Sequence, residues 1–448
     1  MDAAEALDRL ATVGDHALKV REALSPLDDP AAVRHVLLVL SGSRGGSSLL
    51  YELLARGGDM ASLAGEHVPF YRLHGIDAPA APARDDRWGA ADLDGDGDRA
   101  LKVSRALLGE ARVGRGRVAP GDRSAAALSA LRLALQWPEI GLGFEELCEA
   151  FQCAARELPP DATSDGNHRA VLLRVIDRLR TAGHRVDAGY HDVPARARAR
   201  RPDGPPRPGF CVEEPPFVCP APGRLPAPAE LGHVPLLLKA PLDAYRLPLL
   251  KRMFPAARFT VVHLTRNPAA SVNGLWDGWR SNGFFSHRAT DLGQPLSIPG
   301  YTRTGAPWTR HWWNFDLPPG WQRYAHRPLA EVCAFQWASA HRYVLAALSA
   351  PEPPLPIRAH VRVRFEDLAE GAEGRSLVLR RVREAAGLPA GGPDGDPGPA
   401  PLVMATRAPR PGRWRERAEV VGPAVRRPEV AEVARALGYD PAAEEAWT

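Results

Sequence analysis

His35-Val36-Leu37-Leu38-Val39-Leu40-Ser41-Gly42-Ser43-Arg44-Gly45-Gly46-Ser47-Ser48-Leu49-Leu50 is the stretch that decides the fold. From Val36 to Leu40 the chain is apolar without interruption, which predicts a central parallel strand covered on both faces. A Gly/Ser loop follows, and Ser47 to Leu54 reads as a helix. Strand, loop and helix in that order predict an α/β protein whose site lies at the carboxyl ends of its strands.

The loop has the chemistry of an anion cradle. Gly42, Gly45 and Gly46 let the backbone turn tightly and approach a ligand with no Cβ in the way. The helix behind it aims unpaired N–H groups and its positive end at the same point. Ser43, Ser47 and Ser48 add hydroxyls, and Arg44 adds a forked positive charge. Three residues separate Gly42 from Gly46, and Ser47 stands where the phosphate loop of nucleoside triphosphatases needs its lysine. An ordinary kinase or NTPase is disfavoured.

Working outward, strands are expected at 234–239, 257–265 and 357–365. Helices are expected at 244–253, from Pro268 towards Trp279 with Pro268 at the first helical position, and at 428–437, stopped by Gly438. Between the first two strands lies a large, mostly helical insertion, 76–232, with helical periodicity at 125–137, 144–158 and 168–182. It opens on a Pro/Ala stretch and the acidic run Asp92 to Asp98, and closes on a Pro/Arg-rich linker, 194–226. The expected organisation is an N-terminal helical segment, 1–32, an α/β domain from 33–75 and 233–448, and the insertion 76–232.

A second anion site is expected where Val261-Val262-His263-Leu264-Thr265 runs into Arg266-Asn267-Pro268. It would be an arginine at a strand's carboxyl end beside a helix start, with Ser271 or Asn273 as polar partners.

Together these segments resemble PAPS-dependent sulfotransferases of the bacterial type (PAPS is 3′-phosphoadenosine 5′-phosphosulfate). Ser43 to Leu50 is similar to that family's 5′-phosphosulfate loop, with Gly45 at a usual serine position. Arg266-Asn267-Pro268 is similar to its 3′-phosphate motif, with Gly274 where a serine is usual. Leu238-Lys239-Ala240-Pro241 and Phe254 to Phe259 fit the family pattern. So do Val363 to Leu368, read as structural, and Arg410-Pro411-Gly412-Arg413-Trp414, similar to its nucleotide-closing loop. The resemblance spans about 34–75 and 233–440. It implies a P-loop-like parallel sheet flanked by helices and metal-independent, in-line sulfuryl transfer from PAPS, leaving PAP. The acceptor would be a hydroxyl or amine of a small molecule of the secondary-metabolite or glycoside kind.

Arg44 and Lys239 would then stabilise charge on the leaving phosphate, and Glu66 would take the acceptor's proton, with His67 and Asp243 as competitors for that role. Between Trp276 and Trp321, the aromatics Trp279, Phe284, Phe285, Trp308, Trp312, Trp313 and Phe315 form either an acceptor wall or lid, or a packed loop under the sheet edge. The alternatives are a kinase with a variant phosphate loop and a non-catalytic nucleotide-binding or scaffold protein.

Composition excludes more than it assigns. A net charge of +4 over 448 residues implies no nucleic-acid or membrane affinity. No apolar run reaches the roughly 20 residues of a membrane span. Cys148, Cys153, Cys211, Cys219 and Cys333 form no C-x-x-C pair, and the acidic start lacks the pattern of a secretory signal, so a cytoplasmic protein without a metal is expected. Asp92-x-Asp94-x-Asp96-Gly97 mimics the start of an EF-hand but has Val103 where the bidentate glutamate belongs. Arg196 to Arg201 reads as a solvated linker.

Overall fold

The first strand, β1 (His35–Leu40), is buried along its whole length, and its side chains alternate between two cores. Val36, Leu38 and Leu40 join Leu236, Leu238, Phe259 and Val261 on one face, where Leu107, Leu250 and Val344 cover them. Leu37 and Val39 join Leu237, Val262, Leu264 and Val363 on the other, where Leu50, Leu54, Val378 and Val382 cover them. The covering helices are Gly97–Glu110, Leu247–Met253 and Leu329–Ser349 on the first face, and Ser47–Ala55 and Ala372–Ala385 on the second. Each fully buried aliphatic side chain contributes about 1.5–3 kcal/mol, so an apolar run of this kind is stable only at the centre of a sheet.

The computed structural model describes residues 12, 15, 19, 27–77, 84–89, 92, 97–158, 165–193, 202–206, 212–281, 283–302, 306–390 and 401–440. Most of the N-terminal segment 1–32, the interior of the acidic run at 93–96, the arginine run 196–201 and Cys211 lie outside the described residues. The remaining strands are β2 (Ala61–Ser62), β3 (Arg112–Val113), β4 (Leu236–Leu238), β5 (Arg258–Thr265), β6 (Phe285–Arg288), β7 (Trp312–Asn314) and β8 (Ile357–Arg364). The main sheet runs β3-β2-β4-β1-β5-β8, and β6 pairs with β7 in a separate hairpin. All main-sheet neighbours are parallel except β3, which is antiparallel to β2. The fold is therefore α/β, a sheet of mostly parallel strands flanked by helices.

Register sets up the site. Leu38 pairs with Leu238 and Leu40 pairs with His263, so β4, β1 and β5 leave the sheet side by side at their carboxyl ends. Lys239, the loop 41–46 and Arg266 follow these three ends directly. Pro268–Trp279 forms the expected helix, with the Asn267 side chain accepting from the Ala270 N–H at 2.7 Å as its N-cap.

The segment 76–232 joins the core under the sheet through several elements, with Leu128, Leu131 and Val212 among the residues it supplies. Helix Gly97–Glu110 supplies Ala100, Val103 and Leu107 to the β1 core, and β3 extends the sheet edge. Helices Arg123–Gln136, Phe144–Arg156 and Asp165–Thr181 pack largely on one another around Phe151, Val175 and Phe217. The helix expected at 244–253 divides into a 3₁₀ turn, Pro241–Tyr245, and Leu247–Met253, because Pro248 restricts the residue before it and lacks a donor. The 21-residue helix Leu329–Ser349 falls where no element was expected. Among the described residues no helix is long and apolar enough to cross a membrane.

Gly46 ends the loop at φ 95°, and a Cβ there would lie 2.1 Å from the Phe365 ring. Gly183 has nearly the same φ, 94°, with nothing within 4 Å of its would-be Cβ. In denaturant titrations, Gly183→Ala should lose only the left-handed backbone penalty of about 1–2 kcal/mol. Gly46→Ala should lose clearly more, and equal losses would deny that Phe365 fixes the loop.

Candidate functional site

At the carboxyl edge of β4, β1 and β5 opens a cavity of about 960 Å³. Ser43, Arg44, Gly46, Ser47 and Ser48 line it; Leu49 N–H donates to the Gly46 carbonyl at 3.1 Å, which leaves the Ser47 and Ser48 N–H groups at the start of the Ser47–Ala55 helix without an intrahelical acceptor. The loop is tightly built. Gly45 donates its N–H to the Gly42 carbonyl at 3.0 Å, and a Cβ on Gly45 would lie 2.8 Å from the Gly42 oxygen and 2.2 Å from Ser41 Oγ. A serine at position 45 would therefore force this turn to shift. Ser43 donates to Asp316 Oδ1 at 2.6 Å, and Tyr245 donates to Asp316 Oδ2 at 2.9 Å. Burial pushes the Asp316 carboxyl up to about 6, against the two hydroxyls that favour its ionised form.

Arg44 and Arg266 line the same cavity. Arg266 donates to the Arg44 carbonyl at 3.2 Å, and Arg44 donates to the Met404 carbonyl at 2.7 Å. Their guanidiniums lie over the Phe365 and Phe284 rings, at 4.3 and 5.0 Å from the centroids. Neither Nε has a partner. Among the described residues no carboxylate forms an ion pair with either. Burial and the Arg266 charge lower Arg44 to about 10, while burial lowers Arg266 to about 10 although Glu366 works the other way.

Lys239 and Glu66 form an ion pair in the cavity wall, and Lys239 Nζ also donates to Ser48 Oγ at 3.1 Å. Arg132 holds the Glu66 backbone carbonyl at 3.1 Å from the helix Arg123–Gln136. His67 and Asp243 are fully buried behind the wall, bonded to each other at 3.0 Å, and do not line the cavity.

Of the polar candidates on helix Pro268–Trp279, Asn273 reaches the cavity and Ser271 does not. Ser271 is fully buried with its hydroxyl unpartnered, whereas Asn273 Oδ1 accepts from Arg417. Gly274 also lines the cavity, and a Cβ there would have Arg44 Cβ at 3.6 Å, an ordinary contact.

Arg410, Gly412, Arg413 and Trp414 also line the cavity. Their charges are occupied: Arg410 pairs with Glu416, and Arg413 pairs with Asp277, which also holds Arg417 at 2.9 Å. Val363 to Leu368, read above as structural, supports the site and lines it at Phe365, Glu366 and Asp367. Phe365 lies under Arg266, and Glu366 Oε1 accepts from the Asn267 N–H at 2.8 Å and its side-chain amide at 3.0 Å.

The aromatic stretch is mostly packed loop. Trp279, Trp313 and Trp321 are fully buried together, while Phe284 and Phe315 line the cavity. Glu213 and Glu214, which nothing in the sequence marked, also line it. They sit in a Pro-rich stretch whose composition reads as linker. Asp77, Asp86 and His287 approach one another within 4.8 Å. Arg246 faces Asp86 at 3.1 Å and Asp77 at 3.5 Å, and Arg72 faces Asp77 at 3.7 Å. These carboxylates are thus spent on arginines in a buried ion network, a poor place for a further cation. Cys148, Cys153, Cys219 and Cys333 are free thiols.

No family model and no curated protein matches the chain. Two solved structures are similar to it. One is the "Sulfotransferase Domain from the Curacin Biosynthetic Pathway", at 14% identity and TM-score 0.36, covering 91% of this chain and 99% of that one. The other is the "Sulfotransferase Domain from the Synechococcus PCC 7002 Olefin Synthase", at 14% identity and TM-score 0.36, covering 91% of this chain and 96% of that one. At this distance the fold assignment rests on the sheet order and register described above.

Arg266 bears on stability with a definite sign. Its folded pKa lies below the ordinary value, so keeping it charged at neutral pH opposes folding. Arg266→Met should therefore keep or raise the melting temperature despite losing the bond to the Arg44 carbonyl. A marked fall, measured by calorimetry at pH 7, would mean that the arginine is there for structure.

Proposed function

We propose that this chain transfers a sulfuryl group from PAPS to a hydroxyl or amine of a small-molecule acceptor. The observation that carries the reading is the pair Arg44 and Arg266, which form no ion pair among the described residues and line one cavity that also holds Glu66 and Lys239. Such a pair is costly unless an anion completes it. A nucleotide with phosphates at both ends of its ribose fits two cation sites on one sheet edge. The unpartnered Nε atoms and the open first turn behind Gly46 support that fit.

In this reading Arg266 and Asn273 bind the 3′-phosphate. Arg44, Ser43, Ser47, Ser48 and the loop N–H groups bind the 5′-phosphate end, with Gly45 and Gly46 shaping the turn. Arg410, Gly412, Arg413 and Trp414 close over the nucleotide. Bound there, PAPS supplies an electron-poor sulfur that accepts a nucleophile as its bond to the bridging oxygen breaks. Arg44 and Lys239 stabilise the charge left on the phosphate. Lys239 lies between Glu66 and Ser48, so a phosphate beside Ser48 draws the ammonium towards itself and releases the carboxylate. Glu66 then takes the acceptor's proton. His67 and Asp243 are sealed behind the wall, which leaves Glu66 the better placed of the three. No divalent cation is needed to hold the phosphates in this scheme, because arginines and the helix end neutralise them.

Calorimetry tests the donor. PAP should bind without magnesium and more tightly than ATP, whereas tight magnesium-dependent ATP binding would favour a kinase. Glu66→Gln should leave PAP binding intact and reduce turnover of PAPS about 100-fold or more. Unchanged turnover would remove Glu66 from the mechanism.

A further inference from the structure

The carboxylates of the cavity wall on the Glu66 side are unequal. Glu52 faces Arg115 at 3.0 Å, and Glu66 is paired with Lys239. Glu213 is buried and filled on both oxygens, accepting from Arg132 Nη1 and from Gln136 Nε2, each at 3.0 Å. Glu214, the next residue, is half-buried and lines the cavity. The cation nearest to it in effect is Arg72, which spends its Nη1 and Nη2 on the Val212 and Ser286 carbonyls, each at 3.1 Å, and turns its Nε to Asp77.

The cavity that Glu214 lines also has an apolar share: Val68, Pro69, Pro216, Val218, Leu242 and Phe284 line it too. Burial pushes the Glu214 carboxyl up to about 7. Arg72 and a hydrogen bond with Ser286 pull it down, and the Glu66 and Asp77 charges push it further up. An ionised carboxyl here has lost water without gaining a full counter-charge, so a cationic ligand would recover what burial cost.

We propose that Glu214 determines acceptor specificity, and that the acceptor carries a protonated amine on an apolar, ring-bearing frame, the ammonium seated on Glu214 and the frame against Pro216, Val218 and Phe284. This rests on the sulfotransferase reading for the word acceptor, but the binding of an ammonium at Glu214 does not. The apolar lining gives the frame its contact area, and the Glu214 carboxylate gives the orientation. The segment 76–232, which supplies Glu213, Glu214 and Arg132, thereby becomes part of the acceptor site. Arg132 ties its Glu213 to the backbone of Glu66.

The probes are tyramine and 4-ethylphenol, which share a phenol and differ by the ammonium group. Binding of each to the full chain is measured by calorimetry at pH 8, with and without saturating PAP. At that pH Glu214 is ionised, being above about 7, and an alkyl ammonium stays protonated up to about 10. Tyramine should bind about 10-fold or more tightly than 4-ethylphenol, the scale of one charge-assisted hydrogen bond. Glu214→Gln should reduce that ratio to about 2-fold or less while leaving 4-ethylphenol and PAP affinities unchanged. In the unaltered protein the preference should shrink at pH 6, where Glu214 takes up a proton. Equal affinities, a preference that survives in Glu214→Gln, or no binding of tyramine would overturn the proposal. Failure of PAP alone would count against the donor assignment, and the tyramine comparison without nucleotide would still decide the role of Glu214.

Discussion

Two like charges, neither in an ion pair with a carboxylate among the described residues, organise this molecule. Arg266 donates to the backbone carbonyl of Arg44, so one cation is fastened to the chain that carries the other. Each lies over an aromatic ring, Phe365 or Phe284, which returns about 0.5–2 kcal/mol per contact and falls short of an ion pair. Burial pushes both guanidiniums towards losing their protons, and a bound anion would recover part of that cost. The other arginines of the cavity differ. Arg407 and Arg413 pair with Asp277, Arg410 with Glu416, Arg115 with Glu52 and Arg364 with Glu366.

The fold enforces this arrangement through register. Because β1 is flanked by β4 and β5, the residues that follow those strands have to meet at one edge, and no loop rearrangement short of unthreading the sheet would separate them. Local bonds refine the placement. Asp316 anchors Ser43 in the loop, and Glu366 caps the turn at Asn267. Gly46 leaves room for the Phe365 ring that supports Arg266. The aromatic segment after Trp276 does its work from beneath, as a packed cluster that positions Asp316 and exposes only Phe284 and Phe315 to the cavity.

What was legible in the sequence were elements with a strong local signal. Val36 to Leu40 could only be a covered strand, and Asn267-Pro268 announced a helix start. The two-residue strands β2 and β3 have too few residues for any period to register. Helix Leu329–Ser349 is buried on most sides, which blurs the polar face that would have betrayed it. Within the site, Arg44, Lys239 and Arg266 were legible because each follows a strand end. Glu213 and Glu214 were not, since a Pro-rich stretch carries no period and Glu213 is placed by Arg132 and Gln136, 81 and 77 residues away. The choice between Ser271 and Asn273 depended on which face of one helix met the cavity, and one sequence cannot fix that rotation.

The central claim is that Arg266 completes an anion site for a nucleotide's second phosphate. The most direct measurement compares PAP with adenosine 5′-monophosphate by calorimetric titration, in the unaltered protein and in Arg266→Met. The account predicts that PAP binds about 10-fold or more tightly than the monophosphate and that this advantage disappears with the arginine. Equal affinities in the unaltered protein, or an advantage untouched by the substitution, would contradict it.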